Sequence, residues 1–338
     1  MKLDKQTEQA VALACERLFQ KVRAAHAKHP VKLGETAEKR PRNYRDDDPL
    51  VGKTFDGWRK LIDPENAELD KLLVSIVKDA PGRNTAGFAK LTPDKVWVWG
   101  GPTPYWGGSM ADDTLVRGAD YFGARNVVYV YGPTTRKMLK LHAKYAQMLC
   151  QINANCRTPG AQKGGDKANA ELLSKLSLDF PNIAGAMCDD VSVSFEKVVL
   201  PEAFEIRYEA LKKHNGKLRM YGVIYAHELD RKDYSRILPY LDVVNLWFWH
   251  KEDILEFDER VKLARQVFGG KPILAGIFLH DYGRSDAGTP PELLYYQLDR
   301  VRQYVGKGQI EGIVLLGDRE IKKWPATAKA VRDYLKNQ

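Results

Sequence analysis

The sequence predicts an α/β fold, a (β/α)8 TIM barrel with an N-terminal helical and irregular extension. Two observations carry this. Between Lys95 and Glu320 lie eight short apolar segments of β type, most of them separated by a stretch of helical spacing. Several of these segments also end in a carboxylate, a histidine or a tryptophan. Unbroken apolar runs are how parallel strands buried on both faces read, and polar groups at their carboxyl ends are where barrels gather their chemistry.

Taken in order, Met1–Lys5 leads into a polar amphipathic helix carrying Ala10, Leu13, Leu18, Phe19 and Val22. Lys21–Arg45, continuing to about Val51, is dense in Lys, Arg and His and is the least structured part by composition. Residues 1–94 thus read as the extension and 95–338 as the barrel. The expected strands are Val96–Gly100, Asn126–Gly132, Gln147–Ile152, Ile183–Asp190, Arg219–Ala226, Asp242–Trp249, Ile273–His280 and Gly312–Gly317. The clearest helices are Asn169–Leu178, Glu202–Asn215, Ile254–Phe268 and Pro291–Val305, with apolar residues at three- and four-residue spacing. Met110–Tyr121 is broken by Gly and Asp and yields only a short helix. An open doubly wound sheet is disfavoured, because no Gly-rich phosphate turn follows the first strand.

With 338 residues, 44% of them hydrophobic, the chain can bury a substantial core. No segment has the roughly 20 apolar residues needed to span a bilayer, which reads as a soluble chain without a membrane partner. No signal peptide is visible, and an exported protein, periplasmic or secreted, stays compatible with a signal already removed. Cys15, Cys150, Cys156 and Cys188 form no C-x-x-C pair and no metal-finger spacing; Cys150 and Cys188 read as buried free thiols. The net charge of +9 is either a solvated surface or a field that attracts an anionic substrate such as a uronate- or sulfate-bearing glycan. Nucleic acid is disfavoured, since 44 acidic residues are interspersed with the basic ones and no binding motif accompanies them.

Five consecutive strand ends offer titratable groups: Asp189–Asp190, His227–Glu228, Trp249–His250, His280–Asp281 and Asp318–Arg319–Glu320. Neighbours on a strand point to opposite sides, so one of Asp189 and Asp190 faces the axis. Taken singly, each acid reads equally well as a cap or a surface ion pair; their coincidence at one rim favours function. Asp189, Asp190, Glu228 and Asp281 are therefore the candidate catalytic residues. Paired carboxylates flanking a bond are the means of glycoside hydrolysis.

The same rim is aromatic, and flat rings suit the C–H faces of sugars. Trp99, Trp106, Tyr131, Tyr225, Trp247 and Trp249 are the candidate sugar contacts, with Asn153, Arg157, His227 and His280 as polar partners. Trp97 reads as packing. The loop Gly100–Gly108 (GGPTPYWGG) is shaped by glycine and proline to lie over the mouth.

The pattern resembles the (β/α)8 glycoside hydrolase superfamily, and NIAGAMCDDVSVSF is similar to the fourth-strand run ending in Asp-Asp in some of its members. In the alpha-amylase-like clan the nucleophile Asp ends strand four, the acid/base Glu ends strand five and a His-Asp pair ends strand seven. The resemblance implies these roles for Asp190 or Asp189, for Glu228 and for His280–Asp281. The sequence departs from that clan in lacking an Arg two residues before the Asp, and from chitinases in lacking the Glu that ends D-x-x-D-x-D-x-E. The expected function is glycosidic hydrolysis of an oligo- or polysaccharide without a cofactor. Two alternatives stay open: a non-catalytic glycan-binding barrel, and a metal-dependent hydrolase or lyase using His227, Glu228, His250, His280 and Asp281.

Overall fold

The computed structural model describes residues 3–28, 49–78, 87–102, 109–152, 165–191, 201–282 and 287–338. Trp106, Asn153, Arg157 and Cys156 lie outside them, as do most of the Gly100–Gly108 loop and, for their side chains, Asp318 and Arg319.

Eight parallel strands close into a barrel in sequence order: β1 (Val96–Gly100), β2 (Asn126–Tyr129), β3 (Gln147–Gln151), β4 (Ile183–Cys188), β5 (Arg219–Tyr225), β6 (Val243–Trp247), β7 (Ile273–Ile277) and β8 (Gly312–Leu316). Alternate residues divide into two cores. Val98, Val127, Cys150, Ala186, Met220, Leu246 and Leu315 face the surrounding helices. Trp97, Trp99, Leu149, Met187, Tyr221, Val223, Trp247 and Val314 fill the interior. This is the period-two alternation of a strand buried on both faces. The tryptophans need room, and β7 supplies it at Gly276, where a Cβ would lie 2.0 Å from the Trp247 indole. Asn245 is fully buried inside the barrel, donating to the Leu274 carbonyl (3.1 Å) and accepting from Trp247 Nε1 (2.8 Å).

Several strands end earlier than the sequence suggests. After β2 and β4 the chain enters the left-handed region at Tyr131 (φ 72°) and Asp190 (φ 46°), among the described residues the non-glycine residues with positive φ. Both lie on the carboxyl rim. Such conformations cost free energy and cluster at functional sites.

The barrel helices are α3 (Thr114–Phe122), α4 (Arg136–Leu141), α5 (Asp166–Leu176), α6 (Pro201–Lys212), α7 (Phe257–Val267), α8 (Pro291–Gly306), α9 (Asp318–Lys323) and α10 (Pro325–Asn337), preceded in the chain by α1 (Lys5–Lys28) and α2 (Pro49–Lys78). The expected helix Ile254–Phe268 opens as a 3₁₀ turn, Lys251–Glu256, before α7 begins. At the N-terminus α1 continues through Lys28, into the basic stretch expected to be unstructured. Its buried face is Ala14, Leu18, Val22 and Ala25, so Leu13 and Phe19 are exposed, contrary to the expected apolar stripe.

Helix α2 was not apparent in the sequence. Ile62, Leu69, Leu73 and Val77 on it pack with α1 and with Ile254, Leu255 and Leu293 of the barrel. Lys251, wholly buried, reaches from the β6 side into this seam and bonds the Asn66 amide oxygen and the Asp70 carboxylate. Among the described residues no helix is long and apolar enough to cross a membrane.

Candidate functional site

The end of β4 is the centre of the rim. Asp189 keeps the inward parity of Met187 and is half-buried, whereas Asp190 is exposed. Burial first, then the charge of Asp190, hold the Asp189 carboxyl well above the usual carboxylate range. The pair thus retains a proton where an isolated aspartate has lost it.

The side chains of Gln151 and Tyr225 hold this pair. Gln151, at the inward end of β3, donates from Nε2 to Asp189 Oδ2 (3.4 Å) and accepts at Oε1 from the Tyr131 backbone N–H (3.2 Å). Tyr131 OH in turn accepts from Trp99 Nε1 (3.1 Å). On the other side the Tyr225 hydroxyl donates to Asp190 Oδ1. Burial and the two aspartates push the Tyr225 hydroxyl up, so it stays a donor.

An aromatic wall continues from Tyr225. His227 stacks on it (ring centroids 5.9 Å apart), and Trp249 packs against both at 4.7 and 4.9 Å. Burial pushes His227 down to about 4, and its buried Nδ1 has no hydrogen-bond partner among the described residues. The imidazole is therefore neutral near pH 7. Tyr282 and Phe278 extend the wall toward β7. A cavity of ≈ 670 Å³ lies beside the rim and shares Tyr131 with it, lined further by Tyr129, Met110, Met138 and Leu141.

The β6 to β8 side differs. His250 Nδ1 stands 3.5 Å from Asp281 Oδ1, and Asp281 has no exposed surface. His280 Nδ1 is 2.8 Å from Glu320 Oε2, both buried, and its ring lies flat on Trp324 with centroids 4.1 Å apart. Glu228, buried in the 3₁₀ turn after β5, is ion-paired with Lys232 at 2.7 Å.

The structure accordingly brings Asp189, Asp190, Tyr131, Tyr225, His227 and Trp249 together around one mouth. Trp99 and Trp247, expected as sugar contacts, are 5% and 3% exposed and pack in the barrel interior. Asp281 and His280, expected at the site, are buried in pairs of their own. Glu228, expected as an acid, is tied to Lys232 instead. Gln151, Phe278, Tyr282 and Trp324 were missed. Gln151 carried a signal, being an amide at the inward end of a buried strand.

Cys150 and Cys188 are free, buried thiols, and burial pushes each up to about 12, which makes them inert packing groups. Among the described residues no group of three or more His, Cys, Asp or Glu is placed to hold a metal ion.

No protein-family model and no curated protein matches this sequence. Among solved structures the chain is similar to the beta-glucuronidase of Ruminococcus gnavus, at 8% identity with a TM-score of 0.51, covering 74% of this chain and 50% of that one. It is also similar to the beta-D-glucuronidase of Dictyoglomus thermophilum, at 11% identity with a TM-score of 0.48, covering 74% of this chain and 51% of that one. The chain spans about half the length of these two enzymes. The likeness to the Ruminococcus protein shows the fold, a closed (β/α)8 barrel.

Proposed function

We propose that this chain is a glycoside hydrolase acting on an oligo- or polysaccharide, with the Asp189–Asp190 pair as its acid–base centre. The observation that carries the reading is the state of that pair. A half-buried carboxyl held well above its usual range stands beside an exposed carboxylate at the carboxyl rim of a closed barrel. Strongly displaced acids in such places are the mark of general acid–base sites.

Asp189 is the proton donor in this reading, in place of Glu228. Asp190, oriented by the Tyr225 hydroxyl, is the ionised partner. Trp249, Tyr225 and Tyr282 form the face on which a sugar ring rests, and the neutral His227 adds surface without adding charge. Tyr131 leads from the pair into the adjoining cavity, which has room for the part of the substrate beyond the scissile bond.

The test is a panel of neutral, uronic, sulfated and amino-sugar oligosaccharides read by mass spectrometry, with wild type and Asp189→Asn side by side. Cleavage by the wild type that vanishes in the variant supports the proposal. Binding of a glycan without any product makes the protein a glycan-binding barrel, and cleavage that the variant retains moves the centre elsewhere.

A further inference from the structure

We infer that the ≈ 670 Å³ cavity beside Tyr131 is a binding site for an uncharged apolar organic group, alkyl or aromatic. The inference goes beyond the glycosidase reading and does not depend on it.

The site is built by the chain that follows β2. After Tyr129 the backbone turns through the left-handed Tyr131 and enters α4 at Arg136. That path brings Tyr129, Tyr131, Met138 and Leu141 to one cavity, where Met110, in the segment before α3, joins them. Gly132 lets the chain pass the Tyr129 ring, since a Cβ there would lie 2.2 Å from the Tyr129 hydroxyl. The volume falls within the range of about 300 to 1,000 Å³ that takes small organic ligands.

Two observations define what this cavity accepts. Met110 and Leu141 are left 52% and 41% exposed, and although they come from separate segments they meet at the same cavity. Single exposed apolar residues are ordinary, whereas two that converge on a concavity mark a surface that gains by being covered. The second observation is charge. The charged residues among the described lining are Asp112, Asp113 and Lys137, and each has an opposite partner: Lys137 pairs with Asp112 at 2.6 Å and Asp113 with Arg117 at 2.6 Å. Burial pushes the Tyr129 hydroxyl up, so the wall gains no charge from it. An ionic ligand must compete with these pairs, while an apolar one releases water from methionine, leucine and tyrosine surface. Methionine adapts to ligands of different outline, which suits alkyl and aromatic groups alike.

The cavity is also tied to the rim. Tyr131 is held at both ends: its backbone N–H donates to Gln151 (3.2 Å), and its hydroxyl accepts from Trp99 Nε1 (3.1 Å). Gln151 in turn donates to Asp189 (3.4 Å), so a group resting on Tyr131 is linked to the carboxylate pair by a short chain of hydrogen bonds. The apolar group is thus either carried by the molecule bound at the rim or bound free beside it.

The experiment measures binding to the full chain by calorimetry, with butanol, hexanol and octanol as probes and octanoate and octylammonium as charged controls. Binding should tighten about threefold or more per added methylene. The charged controls should bind about tenfold or more weakly than octanol. The double variant Met110→Ser with Leu141→Ser changes two exposed side chains and should weaken octanol binding about tenfold. A photoreactive alkyl diazirine locates the site without any substitution, with labelling expected in the peptides that hold Met110 and Leu141. Absence of octanol binding up to its solubility limit, affinity independent of chain length, octanoate bound as tightly as octanol, octanol binding unchanged in the double variant, or labelling confined to other peptides each overturns the inference. Two further ligands separate the sources of the group. An octyl glycoside, kept below its micelle concentration, that binds more tightly than both octanol and the matching methyl glycoside assigns the cavity to part of the rim's own ligand. Octanol and the methyl glycoside bound together, with no gain from joining them, assign it to a free molecule. Octanol binding by a chain that cleaves no glycoside removes the glycosidase reading and leaves this inference standing.

Discussion

The two arcs of the barrel rim use the same residue types to opposite ends. From β3 to β5 the carboxylates crowd: Asp189 and Asp190 stand together, half-buried and exposed, with an amide and a phenol as hydrogen-bond donors. From β6 to β8 the two buried carboxylates, Asp281 and Glu320 among the described residues, each face a histidine, in the pairs His250–Asp281 and His280–Glu320. Like charges side by side raise proton affinity and store reactivity. Opposite partners in the interior fix geometry and, once formed, resist change.

The sharpest break of this comparison is Asp189→Asn. Removing a general acid costs about 10³-fold in turnover, within the usual range for such groups. The same change should leave the fold intact or stabilise it, and the sign follows from linkage. The folded-state pKa of Asp189 is raised above its unfolded value of 3.8, so the folded protein binds the proton more tightly. Wild type therefore loses stability as pH rises from about 4 through the raised pKa, and Asp189→Asn should remove that loss. Urea titrations of both proteins at pH 4 and pH 8 read it directly; an unchanged pH slope in the variant would make Asp189 an ordinary surface acid.

The paired arc should respond in stability instead. Asp70→Asn leaves the buried Lys251 ammonium without its carboxylate and should cost about 3 kcal/mol, most of it recovered by adding Lys251→Met. The double-mutant cycle in urea tests this, and equal costs for single and double variants would mean that the seam is held by its apolar contacts alone. Glu320→Gln replaces a charge-assisted bond to His280 by a neutral one and should cost about 1 to 2 kcal/mol with turnover changed only a few-fold. A collapse of turnover as large as that of Asp189→Asn would erase the distinction between the arcs.

How much of this was legible in the chain follows the same divide. The eight strands stand out in sequence because both faces of each are buried, which leaves short unbroken apolar runs, and the Asp-Asp ending of β4 was visible for the same reason. The strand ends were not, since Tyr131 and Asp190 turn out of β geometry by a positive φ that their residue types do not announce. Helix α2 was hidden because Leu69, Leu73 and Val77 form a stripe only in relation to α1, while Gly52 and Pro64 suggest a break. A buried lysine has no local signature at all: Asp70 lies 181 residues from Lys251. Strand-end acids look alike in sequence, and only their partners separate Asp190 from Asp281.

The finest test within the reactive arc is Tyr225→Phe. The hydroxyl donates to Asp190 and so favours its ionised form, while the charge on Asp190 is one of the two causes that keep Asp189 protonated. Without the hydroxyl, Asp190 holds a proton to higher pH, and the first deprotonation of the coupled pair moves upward. One hydrogen bond to a charged group is worth about 1.5 to 3 kcal/mol, or roughly one to two pH units. The acid-side limb of the kcat/KM profile, which reports the free enzyme, should therefore move up by about one unit, with a loss of roughly tenfold on that limb and a smaller loss at its plateau. The ring itself remains, so stacking with His227 and Trp249 is retained and KM should change little. An acid limb that stays in place while KM rises would mean that Tyr225 touches the sugar and does not set the charge of the pair.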